Sequence, residues 1–289
     1  MSVESQVSTI LCMKKLIFVM VFALISIIGA SAQRDTVRIL AIGNSFSEDA
    51  VEQHLYDLAK AEGLPVVIGN MYIGGCPLER HVNNAKDDAP AYRYRKIDAD
   101  GNMVQINDFS LSKALKDDDW DYVSLQQSSP NSGLPQTYEP WLEDLIAYVA
   151  SFVPDAEIVF HMTWAYDVDS KHRNFPNYDC DQMKMYNAIV STVKKQTART
   201  GVKTVIPAGT AVQNARSTAL VSKITRDGYH MSKPHGRYIV ACTWLEKILG
   251  CNPKGNTYQP AEMTAQECLL AQKAAHAAVR KPYKPRKIR

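Results

Sequence analysis

The feature that most constrains the fold is an alternation along the chain, in which short β-rich apolar runs are separated by stretches with helical periodicity. "VRILAI" (37–42) precedes residues 49–62, where Val51, Leu55, Leu58 and Ala59 recur at helical spacing. "PVVIGNMYI" (65–73) and "DYVSLQ" (121–126) read as the second and third strands. Trp141, Leu145, Tyr148, Val149 and Phe152 then line one side of a helix over 139–152, which Pro154 stops. "AEIVFHM" (156–162) is a fourth strand, and Met183, Tyr186, Val190 and Val193 mark a long helix. "TVIPAG" (204–209) is a fifth strand, and 236–249 a closing helix. Strands joined through helices imply right-handed crossovers, a mostly parallel sheet and helices on both faces. The expected fold is therefore a three-layer α/β/α sandwich around a mostly parallel five-stranded sheet. "AYRYRKIDADGNMVQI" (91–106) interrupts the pattern and reads as a surface hairpin turning at Asp100-Gly101.

The ends of the chain differ from this body. From Met13, two lysines, an apolar run over Leu16–Ile28 and an Ala30-Ser31-Ala32 pattern follow the order of a secretory signal cleaved before Gln33. Residues 1–32 are thus expected to be a signal with an upstream start extension, and Cys12 precedes the apolar run, unlike a lipid-anchoring cysteine. Residues 33–252 form the expected domain, and 253–289 a C-terminal helix and basic tail. The last ten residues, "RKPYKPRKIR", hold six positive side chains, while the whole chain carries only +3. Basic character confined to a Pro-containing tail argues against nucleic acid as a partner. A removed signal implies an exported protein with no membrane attachment after cleavage. Five scattered cysteines in the mature chain (Cys76, Cys180, Cys242, Cys251 and Cys268) contain no Cys-x-x-Cys pair and spell neither a disulfide framework nor a zinc site. His54, His161, His172 and His276 lack metal-ligand spacing, so no metal and no cofactor are expected. Nothing in the sequence bears on oligomeric state.

In open α/β sheets, ligands bind beyond the carboxyl ends of the strands. The residues there are Gly43-Asn44-Ser45-Phe46-Ser47, Gly74-Gly75-Cys76, Gln126-Gln127-Ser128-Ser129 and Thr163-Trp164-Ala165-Tyr166, with "RDGYHMS" just before the last helix. Acyl transfer needs a hydroxyl nucleophile, a base, an acid to orient that base, and donors for the oxyanion. Ser45 at a strand-to-helix turn lies near a helix N-terminus, where negative charge is favoured. Ser47, the other hydroxyl of the turn, reads as the N-cap of the following helix. Gly75 allows its backbone N–H a close approach to substrate, and Gln126 offers a side-chain donor, with Gln127 and Asn131 as alternatives. Asp227 and His230 stand three residues apart, and His235 is a rival base. His81 and Trp164 are candidates for lining the pocket, and Trp164 and Tyr166 for stacking on a sugar. Each has a structural alternative: a half-exposed histidine, or aromatics packed behind a strand.

Together these segments resemble the SGNH, or GDSL-like, hydrolase superfamily, whose fold is flavodoxin-like. They are most similar to a secreted bacterial branch of unassigned function carrying "AIGNSFSEDA", "YIGGC", "SLQQ", "HMTWAY" and "RDGYH". The resemblance spans roughly residues 37–250. It implies Ser45 as nucleophile, His230 as base and Asp227 as its orienting acid, with Ser45, Gly75 and Gln126 forming the oxyanion hole. Asn44, His81, Gln127 and Trp164 are then expected around the substrate. Two departures stand out. Asn44 replaces the usual aspartate, and Leu125-Gln126-Gln127 replaces the usual Gly-x-Asn-Asp. The expected activity is hydrolysis of a small acyl ester, acetyl foremost, on a small molecule or a carbohydrate. The alternative is a non-catalytic glycan-binding protein on the same fold.

Overall fold

The computed structural model describes residues 35–289. The expected signal segment, its expected cleavage position and Cys12 lie outside the described residues.

Seven strands form one sheet in the order β4-β3-β2-β1-β5-β6-β7: β1 (Val37–Gly43), β2 (Val66–Tyr72), β3 (Tyr92–Ile97), β4 (Met103–Phe109), β5 (Tyr122–Leu125), β6 (Glu157–His161) and β7 (Thr204–Ile206). β1 lies in the middle, parallel to β2 (Gly43 beside Tyr72) and to β5 (Ile42 beside Leu125). β6 pairs in parallel with β5 and β7. Ile39, Leu40, Ala41 and Ile42 are buried because helices cover the strand on both sides. The "surface hairpin" of 91–106 is instead β3 and β4, antiparallel extensions of the same sheet beyond β2. This raises the strand count from the expected five to seven. Tyr92, Tyr94 and Ile97 point to the core, whereas β4 is exposed almost throughout, as suits an edge.

The helices are α1 (Ser45–Val51), α2 (Leu55–Ala61), α3 (Leu78–Lys86), α4 (Leu111–Leu115), α5 (Trp141–Phe152), α6 (Gln182–Thr200), α7 (Ala208–Ala215), α8 (His235–Leu249) and α9 (Ala265–Arg280). α8 packs on α1, α2, α7 and α9, building one helical layer. α3, α4 and α5 pack together in the other, where Arg199 of α6 pairs with Glu143 of α5. The expected 49–62 helix is two short ones, broken between Val51 and Leu55. α9 starts with a reciprocal cap between Thr264 and Glu267 and buries an alanine-rich face against α7 and α8. The basic tail returns along α7, where Arg286 N–H donates to Asn214 Oδ1 (2.6 Å) and Ile288 N–H to Ser217 Oγ (2.9 Å). It is thus seated on the domain rather than solvated along its length. Among the described residues, no helix is long and apolar enough to cross a membrane.

Candidate active site

The chain leaves β1 through Gly43. A Cβ there would stand 2.7 Å from Ser47 Oγ and 2.8 Å from Gln126 Cδ, so only glycine permits this sharp exit. Asn44, not Ser47, is the N-cap: its Oδ1 accepts from Phe46 N–H at 3.0 Å. Ser47 lies inside α1, buried, donating to Asn44 O or Asn70 Oδ1 (both 2.8 Å). Ser45 therefore occupies the first helical position with its hydroxyl free to reach outward.

That hydroxyl meets His230 Nε2 at 2.9 Å, and His230 Nδ1 meets Asp227 Oδ2 at 2.7 Å. Asp227 Oδ1 also accepts the His230 and Tyr229 backbone N–H groups, at 2.8 and 3.2 Å. The acid thus fixes both the ring and the turn that carries it. Partial burial acts to raise the Asp227 carboxyl, but these bonds and the nearby imidazole outweigh it and hold the group below the usual carboxylate range. The His230 and Asp227 side chains are 20% and 38% exposed, so the relay opens to solvent at one edge of the sheet.

The loop bearing His230 is held from beneath by a residue the sequence reading passed over. Asp49, four positions after Ser45, is buried; its Oδ2 accepts Met231 N–H (2.8 Å), and its Oδ1 accepts from Arg226 (3.0 Å) and Arg237 (2.8 Å). One carboxylate on the helix that carries Ser45 therefore grips the loop on both sides of His230. Burial lifts this carboxyl above its ordinary range, against the pull of Arg237 and Arg226. Glu48 accepts from Arg237 at 3.1 Å, and Arg95 bonds Glu52 at 2.7 Å, which extends the ionic support to β3. The available sequence signal was an adjacent acidic pair, Glu48-Asp49, on a short and mostly buried helix.

The remaining predicted residues divide. Gly75 adopts φ +63°, a conformation suited to glycine, and a Cβ there would meet open space. Asn44 Nδ2 donates to Cys76 O at 3.1 Å, tying the Gly74-Gly75 loop to the Ser45 turn. Gln126 donates from Nε2 to Asn44 Oδ1 at 2.8 Å. Its placement corrects the oxyanion expectation, because the amide is turned to Asn44, which is itself only 2% exposed and uses both ends of its amide internally. Asparagine suits this junction where aspartate would not, since it must accept from Gln126 and donate to Cys76.

His81, Gln127 and Trp164 are corrections as well: all three are fully buried rather than lining a pocket. His81 bonds the Tyr92 hydroxyl (2.9 Å). Gln127 accepts from Leu78 N–H (3.1 Å) and donates to Thr137 O (2.8 Å). Trp164 stacks flat on Phe46 with centroids 4.1 Å apart and donates to Tyr229 O at 2.7 Å. Tyr166 is buried too, bonded to Ser129 at 2.9 Å. His235 faces Glu267 at 3.3 Å, away from Ser45's partners. Among the described residues, no group of three or more His, Cys, Asp or Glu side chains is arranged to hold a metal ion.

A central parallel sheet between helical layers, with a serine after its first strand and Asp-x-x-His before a late helix, has the fold of the SGNH hydrolases. A solved protein from Slackia heliotrinireducens, described as a candidate SGNH hydrolase, shares it at TM-score 0.52 and 19% identity, covering 74% of this chain and 100% of that one. The chain belongs to the DUF4886 family, a domain of unknown function, whose model matches residues 38–278. A DUF4886 family protein from Bacteroides uniformis, known from its crystal structure, is 46% identical at TM-score 0.86, covering 88% of this chain and 98% of that one. No curated protein matches the sequence.

Proposed function

We propose that this protein is an exported serine esterase that removes a small acyl group, acetyl foremost, from an alcohol that can be part of a carbohydrate. The observation that carries the reading is the continuous chain from Ser45 Oγ through His230 (2.9 Å) to Asp227 (2.7 Å). With Nδ1–H donated to Asp227, the neutral imidazole presents a lone pair at Nε2, where it takes the Ser45 proton as Oγ attacks the acyl carbonyl. The backbone N–H groups of Ser45 and Gly75 stabilise the oxyanion, and Gln126 supports them by holding Asn44 in place. His230 then returns the proton to the departing alcohol, and water, activated by the same ring, releases the acyl group from Ser45. Export rests on the N-terminal leader pattern.

Replacing Ser45 with Ala should lower hydrolysis of p-nitrophenyl acetate by at least about 10³-fold while leaving the melting temperature near that of the wild type. A fluorophosphonate should label the wild type at Ser45. Undiminished turnover in Ser45→Ala would refute this mechanism, and an unlabelled serine would return the protein to the non-catalytic glycan binders.

A further inference from the structure

Arg93 stands at the same edge of the sheet as Ser45, exposed and without a counter-ion among the described residues. The strands place it there: Gly43 of β1 lies beside Tyr72 of β2, and Tyr72 beside Arg93 of β3. Neighbouring strands are about 4.8 Å apart, so the Arg93 backbone lies about 10 Å from Gly43, through which the chain turns to Ser45. We infer that Arg93 is a specificity residue of the Ser45 site and holds an anionic group, carboxylate or sulfate, on the alcohol part of the ester; this rests on the esterase reading of Ser45.

Its level relative to Ser45 follows from Arg95, two residues on. Arg95 pairs with Glu48 (3.2 Å) of α1 and with Glu52 (2.7 Å) at the end of that helix. β3 runs antiparallel to β2, so stepping back from Arg95 to Arg93 moves about 6–7 Å toward the end of the sheet where β1 and β2 finish. α1 begins at that end, and stepping back from Glu48 to Ser45 moves about 4.5 Å toward it. Both guanidinium groups lie over the Tyr72 ring, 4.3 Å (Arg93) and 4.9 Å (Arg95) from its centre, and so share one face of the sheet. Arg93 therefore stands to Ser45 much as Arg95 stands to Glu48.

The charges around α1 balance without it. Glu48, Asp49 and Glu52 pair with Arg95, Arg226 and Arg237. Asp108, across the shifted register of β4, does not pair with Arg93. The Arg93 guanidinium is held instead by its stack on the half-buried Tyr72, which leaves its N–H donors for a ligand. The Tyr72 hydroxyl borders the Gly74-Gly75 loop, since a Cβ on Gly74 would come within 3.5 Å of it. A cation would be repelled here and a neutral group would gain no charge-assisted bond, whereas the planar fork of a guanidinium matches the paired oxygens of a carboxylate or sulfate.

The test uses the whole protein and acetate esters of phenols that carry a carboxylate or a sulfonate at the meta or para position, each beside its neutral methyl ester or sulfonamide. In the wild type, kcat/KM should favour the anionic member of at least one pair by about fivefold, the yield of one well-placed surface charge pair. Arg93→Gln should bring that pair near parity, and Arg93→Lys, which keeps the charge without the fork, should fall between. Added salt should weaken the wild-type preference. The pair with the larger preference tells carboxylate from sulfate as the group held. The proposal is overturned if no pair shows a preference, or if Arg93→Gln leaves it unchanged. Dissociation constants from NMR titration of Ser45→Ala and of Ser45→Ala with Arg93→Gln separate this inference from the reading it rests on. Arg93-dependent binding of the anionic esters without Ser45-dependent hydrolysis would overturn the esterase reading and leave the anion site standing.

Discussion

Two regions at the same edge of the sheet carry the same kinds of residue and differ in what they do with them. The β1–α1 turn and the 226–231 loop present Ser45, His230 and Asp227 to solvent and to one another. The ends of β5 and β6 offer Gln127, Trp164 and Tyr166, with the polar and aromatic chemistry of a substrate site, yet all three are sealed inside. The difference lies in what each side chain meets. Ser45 starts a helix and so points away from the sheet, whereas Trp164 falls onto Phe46 and closes the space beneath His230, whose ring lies 6.0 Å from Phe46. Lying beyond a strand end is a necessary condition for joining the site, but neighbours on the adjacent helix decide which residues reach the cleft.

The sharpest way to break this comparison is Trp164→Ala. A buried indole with a stacked partner and a satisfied N–H should cost about 3–5 kcal/mol of unfolding free energy in a denaturant titration. If Trp164 were a sugar platform, stability would hold and KM for a glycan ester would rise. A stable Trp164→Ala with raised KM would therefore move the β6 end into the cleft.

Next in size is Asp49→Asn. Removing the charge leaves Arg237 with Glu48 (3.1 Å) and frees the part-exposed Arg226, so the cost should stay below the about 3–5 kcal/mol of a buried charge stripped of every partner, at about 2–3 kcal/mol. Because Asp49 positions the loop through Met231 rather than touching substrate, kcat for p-nitrophenyl acetate should fall by roughly tenfold, a misplacement effect, with KM little changed. Asp49→Glu should restore part of kcat if the carboxylate is what grips the loop. Wild-type stability and kcat in Asp49→Asn would show that the triad loop holds itself.

How much of this was legible in the sequence follows the same division. Parallel strands and the helices between them were readable, because their periodicity is set by burial on a regular surface. The strand-end serine and the Asp-x-x-His turn were readable too, being local patterns. β3 and β4 were misplaced because Asp100-Gly101 announces a turn but not which edge the hairpin joins; only Ile68 beside Ile97 and Met71 beside Tyr94 decide that. Asp49 was missed because its importance comes from Arg226 and Arg237, 177 and 188 residues away in the chain. Gln127 and Trp164 were misassigned because a polar or aromatic residue after a strand looks the same in sequence whether its partner is substrate or protein, and His81 because its partner, the Tyr92 hydroxyl, belongs to the misplaced β3.

The smallest expected effect compares histidines of the two environments. His230 stands in the open relay, while His81 and His161 are fully buried, and burial lowers each of them to about 3. Both have one ring nitrogen bonded, to the Tyr92 hydroxyl and from Trp244 Nε1, and both leave Nε2 unpaired, so a proton on either ring would be an unsolvated charge. The unfolded chain takes up these protons near the ordinary histidine pKa of about 6.5, and the folded chain resists until far lower. Their contribution to stability is thus complete above that pH and is lost progressively as pH falls toward about 3. The expected slope is about 1.4 kcal/mol per pH unit for each histidine between pH 4 and 6. His81→Gln should remove one histidine's share of that slope while leaving the rest. Chemical unfolding at several pH values reads it directly, and a slope in His81→Gln equal to that of the wild type would mean that His81 takes up its proton in the folded protein as readily as in the unfolded chain.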